Sequence, residues 1–123
     1  MFKTLLLIFI GGGTGSILRF LITCLLSQYA KNTLPLATLT VNITGSLLIG
    51  LLWSISCVPG NNTYIYLLIV GFCGGYTTFS TFSWEGLNML KNGDVFMFFM
   101  YAFLSIGLCL LSTYAGYMLG KNM

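Results

Sequence analysis

Charge is scarce in this chain, and histidine is missing altogether. Of its 123 residues only two are acidic and five are basic, which makes 6% charged residues. A soluble domain carries about 25% charged residues, and a soluble fold of this length cannot bury a chain that is 57% hydrophobic. Without histidine the sequence offers neither an acid–base pair nor a nucleophile–base pair. These absences exclude a soluble protein and argue against an enzyme.

Clusters of cysteine or of basic residues are missing as well. Cys24, Cys57, Cys73 and Cys109 form no C-x-x-C pair, and we expect them to pack as small apolar residues rather than bind metal or form disulfides. The net charge of +3 is scattered along the chain. No basic cluster indicates binding to nucleic acid or to anionic lipid.

What the chain does contain is long apolar sequence. No charged residue occurs from residue 32 to residue 84, or from residue 95 to residue 118. Uncharged apolar runs of roughly 18 residues are typical of transmembrane helices. The sequence therefore predicts an all-α, multi-pass membrane protein, with one domain over residues 1–123. The four predicted spans are residues 4–28, 36–57, 63–90 and 95–119.

Turn signals separate these spans. The first span ends at the polar residues 30–32, which Pro35 follows. The second span is followed by residues 59–62 (Pro-Gly-Asn-Asn), and the third by residues 91–94 (Lys-Asn-Gly-Asp). The apolar start of the chain has features of a signal peptide. Its apolar run continues past Arg19 to Leu26 without a cleavage site, so we expect it to remain as a membrane helix.

The distribution of lysines does not favour either orientation of the chain in the membrane. Lys3 and Lys121 lie on one side, and Lys31 and Lys91 lie on the other. Since orientation follows the lysine and arginine balance of the loops, two possibilities stay open. Either another signal fixes the orientation, or chains insert both ways and pair as antiparallel dimers. Four helices are few to surround an ion path, which favours an oligomer.

Small residues mark where helices are expected to approach closely. Gly11 and Gly15 form a G-x-x-x-G pattern in the first span, and Gly45 and Gly50 lie in the second. Small residues let helix backbones meet in lipid, where packing replaces the hydrophobic drive. We expect most of these glycines to be helix contacts only.

Several polar residues lie where a membrane disfavours them. Arg19 is deep in the first span, so we expect it to face a watery vestibule or a partner chain. Glu85 lies nearer a membrane end and is expected to be solvated. Thr38, Asn42 and Ser46 recur every four residues and share one helix face. The Asn42 amide could bond a neighbouring helix or donate to an anion, and the residues alone leave both open.

The third span combines glycines, hydroxyls and phenylalanines. Gly71, Gly74 and Gly75 weaken a helix by about 1 kcal/mol each relative to alanine, which predicts a break there that frees backbone groups for an ion. Beyond it Phe79, Phe82 and Ser83 share a face. Phenylalanine edges carry positive potential and can favour an anion, although two phenylalanines at helical spacing generally only pack.

The fourth span carries a weaker polar signal. Tyr101 and Ser105 are one turn apart, and Ser112 lies two turns further on. These side chains lie near one helix face and could continue a polar track.

Three motifs, taken together, resemble the Fluc/CrcB family of fluoride channels. They are GGGTGSILRF at residues 11–20, TLTVNITGSLLIG at 38–50 and GFCGGYTTFSTFSWE at 71–85. The resemblance covers nearly the whole chain, and the third motif is highly specific. One departure is Ala37, where the family usually has glycine, and a methyl group there bears on packing rather than function.

The resemblance implies an antiparallel, dual-topology dimer in the bacterial plasma membrane that lets cytoplasmic fluoride flow out passively. It implies a pore lined by Asn42, Phe79 and Phe82, with Arg19 near the vestibule; Thr38 and Ser83, which share the faces of these residues, complete the predicted pore set. It also implies a structural sodium ion at the dimer centre, held by the carbonyl oxygens of Gly74 and Thr77 from both chains. The partner would be a second copy or a paralogous chain, surrounded by membrane lipid.

Two other functions are less favoured. A small multidrug transporter also uses four helices and antiparallel dimers, but it needs a carboxylate in its first span, where this chain has only Arg19. A non-conducting partner subunit is the second alternative, and the intact Asn42, Phe79 and Phe82 argue against it.

Overall fold

The computed structural model describes residues 1–28, 34–56 and 62–123, and within these ranges the chain is helical with no strand. Four helical stretches are long and apolar enough to cross a membrane. The predicted four-helix membrane fold is therefore confirmed. The expected turns at 30–32 and 59–61, Lys31 and Cys57 lie outside the described residues. The helices are α1 (Phe2–Ser27), α2 (Leu36–Ile55), α3 (Asn62–Tyr64), a π-helix (Ile65–Cys73), α4 (Gly74–Tyr76), α5 (Phe79–Lys91) and α6 (Val95–Lys121).

The third membrane span is assembled from four of these elements, and its interruption lies near its middle. Thr77 (φ −81°, ψ 159°) and Thr78 (φ −152°, ψ 119°) are extended, while the span as a whole bends by only 15°. The expectation that the glycines form the break is wrong. Gly71 and Gly74 remain helical, and the chain leaves the helix only at the two threonines that follow.

The glycines instead let α1 lie directly against the third span. A Cβ atom added to Gly11 would overlap the carbonyl oxygen of Leu67, and one added to Gly15 would overlap that of Phe72. Gly75 meets the backbone of Gly12 in the same way. The predicted G-x-x-x-G contact is thus confirmed, and its partner is the π-helix and the start of α4.

Glycines also join α2 to α6. A Cβ atom on Gly50 would overlap the Thr113 carbonyl oxygen, and one on Gly116 would overlap that of Leu47. At the ends of the two helices Gly120 lies against the Ser54 hydroxyl. The C-terminal ends of α2 and α6 therefore reach the same side of the membrane.

The predicted turn between the third and fourth spans is present. Gly93 adopts a positive φ of 84°, and the Asp94 N–H donates to the Met89 carbonyl at 2.9 Å. This bond pattern at a left-handed glycine is how many helices end. It places α5 and α6 side by side, so that the middle of α6, at Ser105 and Ile106, lies beside the break.

Candidate functional site

The interruption at Thr77 and Thr78 is held by side chains from the two preceding helices. Asn42 of α2 donates from Nδ2 to the Thr78 carbonyl at 3.0 Å and accepts the Thr78 N–H on Oδ1 at 2.8 Å. Arg19 of α1 donates to the Thr77 carbonyl at 3.2 Å. Since unpaired backbone groups are costly inside a membrane, these two side chains stabilise the extended segment.

Two carbonyl groups lose their usual helical partners because of this arrangement. In a continuous helix Gly74 would accept from the N–H of Thr78, but that N–H donates to Asn42 instead. Thr77 would accept from the N–H of Thr81, which is capped by the Thr78 hydroxyl at 3.2 Å. The carbonyls of Gly74 and Thr77 are the two that the resemblance assigns to sodium.

A cavity of about 550 Å³ lies beside the break, between α2, the third span and α6. Its polar lining comes from Asn42, Ser46, Thr77, Thr78 and Ser105, and it also includes two thiols. The remaining wall is apolar and is formed mainly by Ile49, Ile69, Val70, Phe79, Phe82 and Ile106. The structure thus brings the three predicted pore residues Asn42, Phe79 and Phe82 to one cavity.

The phenylalanines at this cavity form a row of rings with α6. The Phe79 and Phe82 centroids are 5.4 Å apart at 38°, and the Phe82 and Tyr101 centroids are 5.0 Å apart at 46°. Tilted rings of this kind present edges as well as faces. Phe79 is 78% exposed in the single chain, so its outer side is open to whatever adjoins the break.

A polar cluster that the sequence did not predict adjoins the rings. The Glu85 carboxylate accepts from the Thr38 hydroxyl and from the Tyr101 hydroxyl, both at 2.7 Å. Thr38 and Tyr101 are buried, and Glu85 is half-buried. The expectation that Glu85 is simply solvated is therefore wrong. Thr38 belongs to this cluster rather than to the cavity lining.

The other polar residues are distributed unequally. Ser105 lines the cavity, is only 8% exposed and has no hydrogen-bond partner in the described part of the chain. Ser83 is exposed, donates to the Phe79 carbonyl within its own helix and lies outside the cavity lining, as does Ser112. Of the predicted fourth-span track, only Ser105 reaches the cavity.

The cavity offers hydrogen-bond donors and no fixed negative charge. An asparagine amide has two N–H groups. One N–H of Asn42 donates to Thr78, and the other has no partner among the described residues. Ser105 adds a free hydroxyl. No group of three or more histidine, cysteine or acidic side chains able to hold a metal occurs in the described ranges. These free donors suit a small anion.

Known proteins resemble this chain in sequence over almost its entire length. The family model described as CrcB-like protein, Camphor Resistance (CrcB), matches residues 6–117. A protein of Flavobacterium psychrophilum named "Fluoride-specific ion channel FluC" is 41% identical, covering 98% of this chain and 99% of its own. A protein of the same name from Phocaeicola vulgatus is 46% identical, covering 93% of this chain and 95% of its own. Another, from Gloeothece citriformis, is 45% identical, covering 96% of this chain and 97% of its own. The chain belongs to the CrcB family.

Proposed function

We propose that this chain forms a fluoride channel that lets the ion leave the cell passively. The observation that carries the proposal is the cavity where Asn42, Phe79 and Phe82 meet beside the helix break. The relatives named as fluoride-specific channels align with nearly the whole length of the chain, which supports the same activity here.

Fluoride is small and strongly hydrated, so a pore must replace the hydrogen bonds that it removes. The second N–H of Asn42 and the hydroxyl of Ser105 are donors without protein partners in the described ranges. The edges of Phe79 and Phe82 add weaker positive potential along the same wall. Chloride is larger, and the rigid ring pair narrows the route against it.

The functional unit is proposed to be an antiparallel homodimer. Lys3 and Lys121 balance Lys31 and Lys91, so the charges permit insertion in both orientations. The face of the break is open in the single chain: a Cβ atom on Gly74 meets nothing within 4 Å, and Phe79 is largely exposed. A second copy placed there would cover both and complete the wall of the route.

A structural sodium ion at the dimer centre is proposed with it. Gly74 and Thr77 have carbonyls outside the helical hydrogen-bond ladder, and hard cations prefer oxygen ligands. The Thr77 oxygen already accepts from Arg19, but a carbonyl has two lone pairs and can serve both. Two copies would supply four such oxygens.

The test is initial fluoride efflux from liposomes that contain only the purified chain, with chloride as the control ion. We expect fluoride flux without chloride flux. Phe79→Ile and Phe82→Ile keep the bulk but remove the ring edge, and each is expected to lower flux while the dimer stays intact. Flux at the original rate in both variants would show that these rings only pack.

The same assay separates the alternatives. A non-conducting subunit gives no fluoride flux as a pure chain and gains it only with a paralogous partner. A multidrug-type transporter moves organic cations, which requires an intramembrane carboxylate in the first span. The first span contains no acidic residue, and we expect no cation uptake.

A further inference from the structure

A second concave surface lies on the outside of the helix bundle, at one end of the membrane. It is a groove of about 440 Å³ between α2 and α6, lined by Ile49, Gly50, Trp53, Leu110, Thr113, Tyr114 and Tyr117. Its volume falls within the roughly 300–1,000 Å³ of sites that hold small molecules. At Gly50, which lines the groove, the backbones of α2 and α6 are in direct contact.

The walls of the groove are aromatic and face outward. Trp53 is 56% exposed, Tyr114 is 61% exposed and Tyr117 is 42% exposed. Trp53 is two residues from the end of α2, and Tyr117 is one turn before the end of α6. Tryptophan and tyrosine are enriched at the level of the lipid headgroups, so the groove runs from the apolar membrane interior to that level.

A positive charge stands at the polar end of the groove. Tyr114, Tyr117 and Lys121 follow one another at i, i+3 and i+7 and therefore share a face of α6. Lys121 is exposed. The two acidic side chains of the sequence, Glu85 and Asp94, belong to the opposite half of the membrane, at the middle of α5 and at the N-cap of α6. No carboxylate side chain competes for Lys121 at this end.

We propose that this groove binds one anionic phospholipid, with an acyl chain between Trp53 and Tyr114 and the phosphate near Lys121. Shape comes from the α2–α6 groove, and selectivity for negative charge comes from a single lysine. Such a site needs no basic cluster, because the groove rather than the charge density locates the lipid. The proposal is independent of the ion that the chain conducts.

Trp53 makes the proposal directly measurable. The chain has two tryptophans, so a Trp84→Phe variant leaves Trp53 as the only one. The purified variant is reconstituted in phosphatidylcholine vesicles that contain a small, equal fraction of either brominated phosphatidylglycerol or brominated phosphatidylcholine. Bromine on the acyl chain quenches Trp53 when that chain occupies the groove. Unchanged thermal stability checks that the variant is folded.

We expect brominated phosphatidylglycerol to quench Trp53 with about five-fold higher apparent affinity, the effect of one lysine near an anionic lipid. Lys121→Ala should remove this preference, whereas Lys91→Ala, a matched lysine at the other membrane side, should keep it. Tyr114→Ala should weaken quenching by both lipids. Tyr64→Ala is its control, because Tyr64 is 58% exposed and lies outside the groove.

Three results would overturn the site. Equal quenching by the two lipids, or equal effects of Lys121→Ala and Lys91→Ala, would mean that Trp53 meets only bulk lipid. Absence of quenching by either lipid would mean that protein covers the groove, as a second copy of the chain would.

Discussion

Replacing Asn42 with aspartate separates the two tasks of this side chain. The carboxylate still offers an oxygen to the Thr78 N–H, whose nitrogen is 2.8 Å from Asn42 Oδ1 in the native chain. It loses both N–H groups, including the one that donates to the Thr78 carbonyl at 3.0 Å. The variant therefore keeps half of the contact at the break, removes the donor that faces the cavity and adds a negative charge on the proposed fluoride route.

The expected magnitudes follow from these contacts. A hydrogen bond to a charged group contributes about 1.5–3 kcal/mol, and each 1.36 kcal/mol changes a rate ten-fold. Loss of the Asn42 donor should thus slow fluoride flux by about 10- to 150-fold, before repulsion by the new charge. The Thr78 carbonyl left unpaired costs about 1–3 kcal/mol of stability, which is less than the stability of a typical folded domain.

The assay compares initial fluoride efflux with thermal stability of the same protein preparations. Asn88→Asp is the matched control, because Asn88 lies in α5 outside the cavity lining, and it should conduct normally. Normal flux in a folded Asn42→Asp protein would refute the role of Asn42 as an ion donor. Equal loss of flux in Asn88→Asp would show that any added membrane charge acts nonspecifically.

Three further predictions concern assembly. A C-terminal reporter should be found on both sides of the membrane. Moving one lysine from one side to the other should favour one orientation of the chain. A reporter found on a single side would exclude the antiparallel homodimer. Gly74→Val should weaken the dimer or abolish flux. The single chain should stay folded, because nothing lies within 4 Å of the Cβ position of Gly74. Gly15→Ala should instead disrupt the chain itself, because its added Cβ atom overlaps the backbone of Phe72. The dimer should be more heat-stable in a sodium salt than in the salt of a large organic cation, and it should hold one central ion. A well-resolved structure obtained in sodium that lacks this ion would rule out the site.

The length of the apolar runs and their lack of charge predicted the four membrane helices, because long uncharged segments have few alternatives to spanning a bilayer. Close packing of α1 on another helix was also predictable, since Gly11 and Gly15 follow a known packing pattern, but that its partner is the third span was not. The position of the break was not. Local propensity pointed to the glycines, whereas Asn42 and Arg19 stabilise an extended conformation at Thr77 and Thr78.

The candidate site divides in the same way. The motifs identified Asn42, Phe79 and Phe82, and the structure gathers them around one cavity. The contact between Thr38, Glu85 and Tyr101 joins residues 47 and 16 positions apart in sequence. Single-sequence patterns carry no information on such distant partners. The four-residue spacing of Thr38 and Asn42 gave their shared face but not their separate tasks.

The way the break is stabilised has a consequence for how the protein is made. The side chains that pair with Thr77 and Thr78 come from α1 and α2, which leave the ribosome before the third span. If α1 and α2 are not yet packed together, the extended segment faces lipid with unpaired backbone groups, and a straight helix is the more stable form. We therefore expect the third span to acquire its native shape by docking against helices already in place, with Arg19 and Asn42 as a template during membrane insertion.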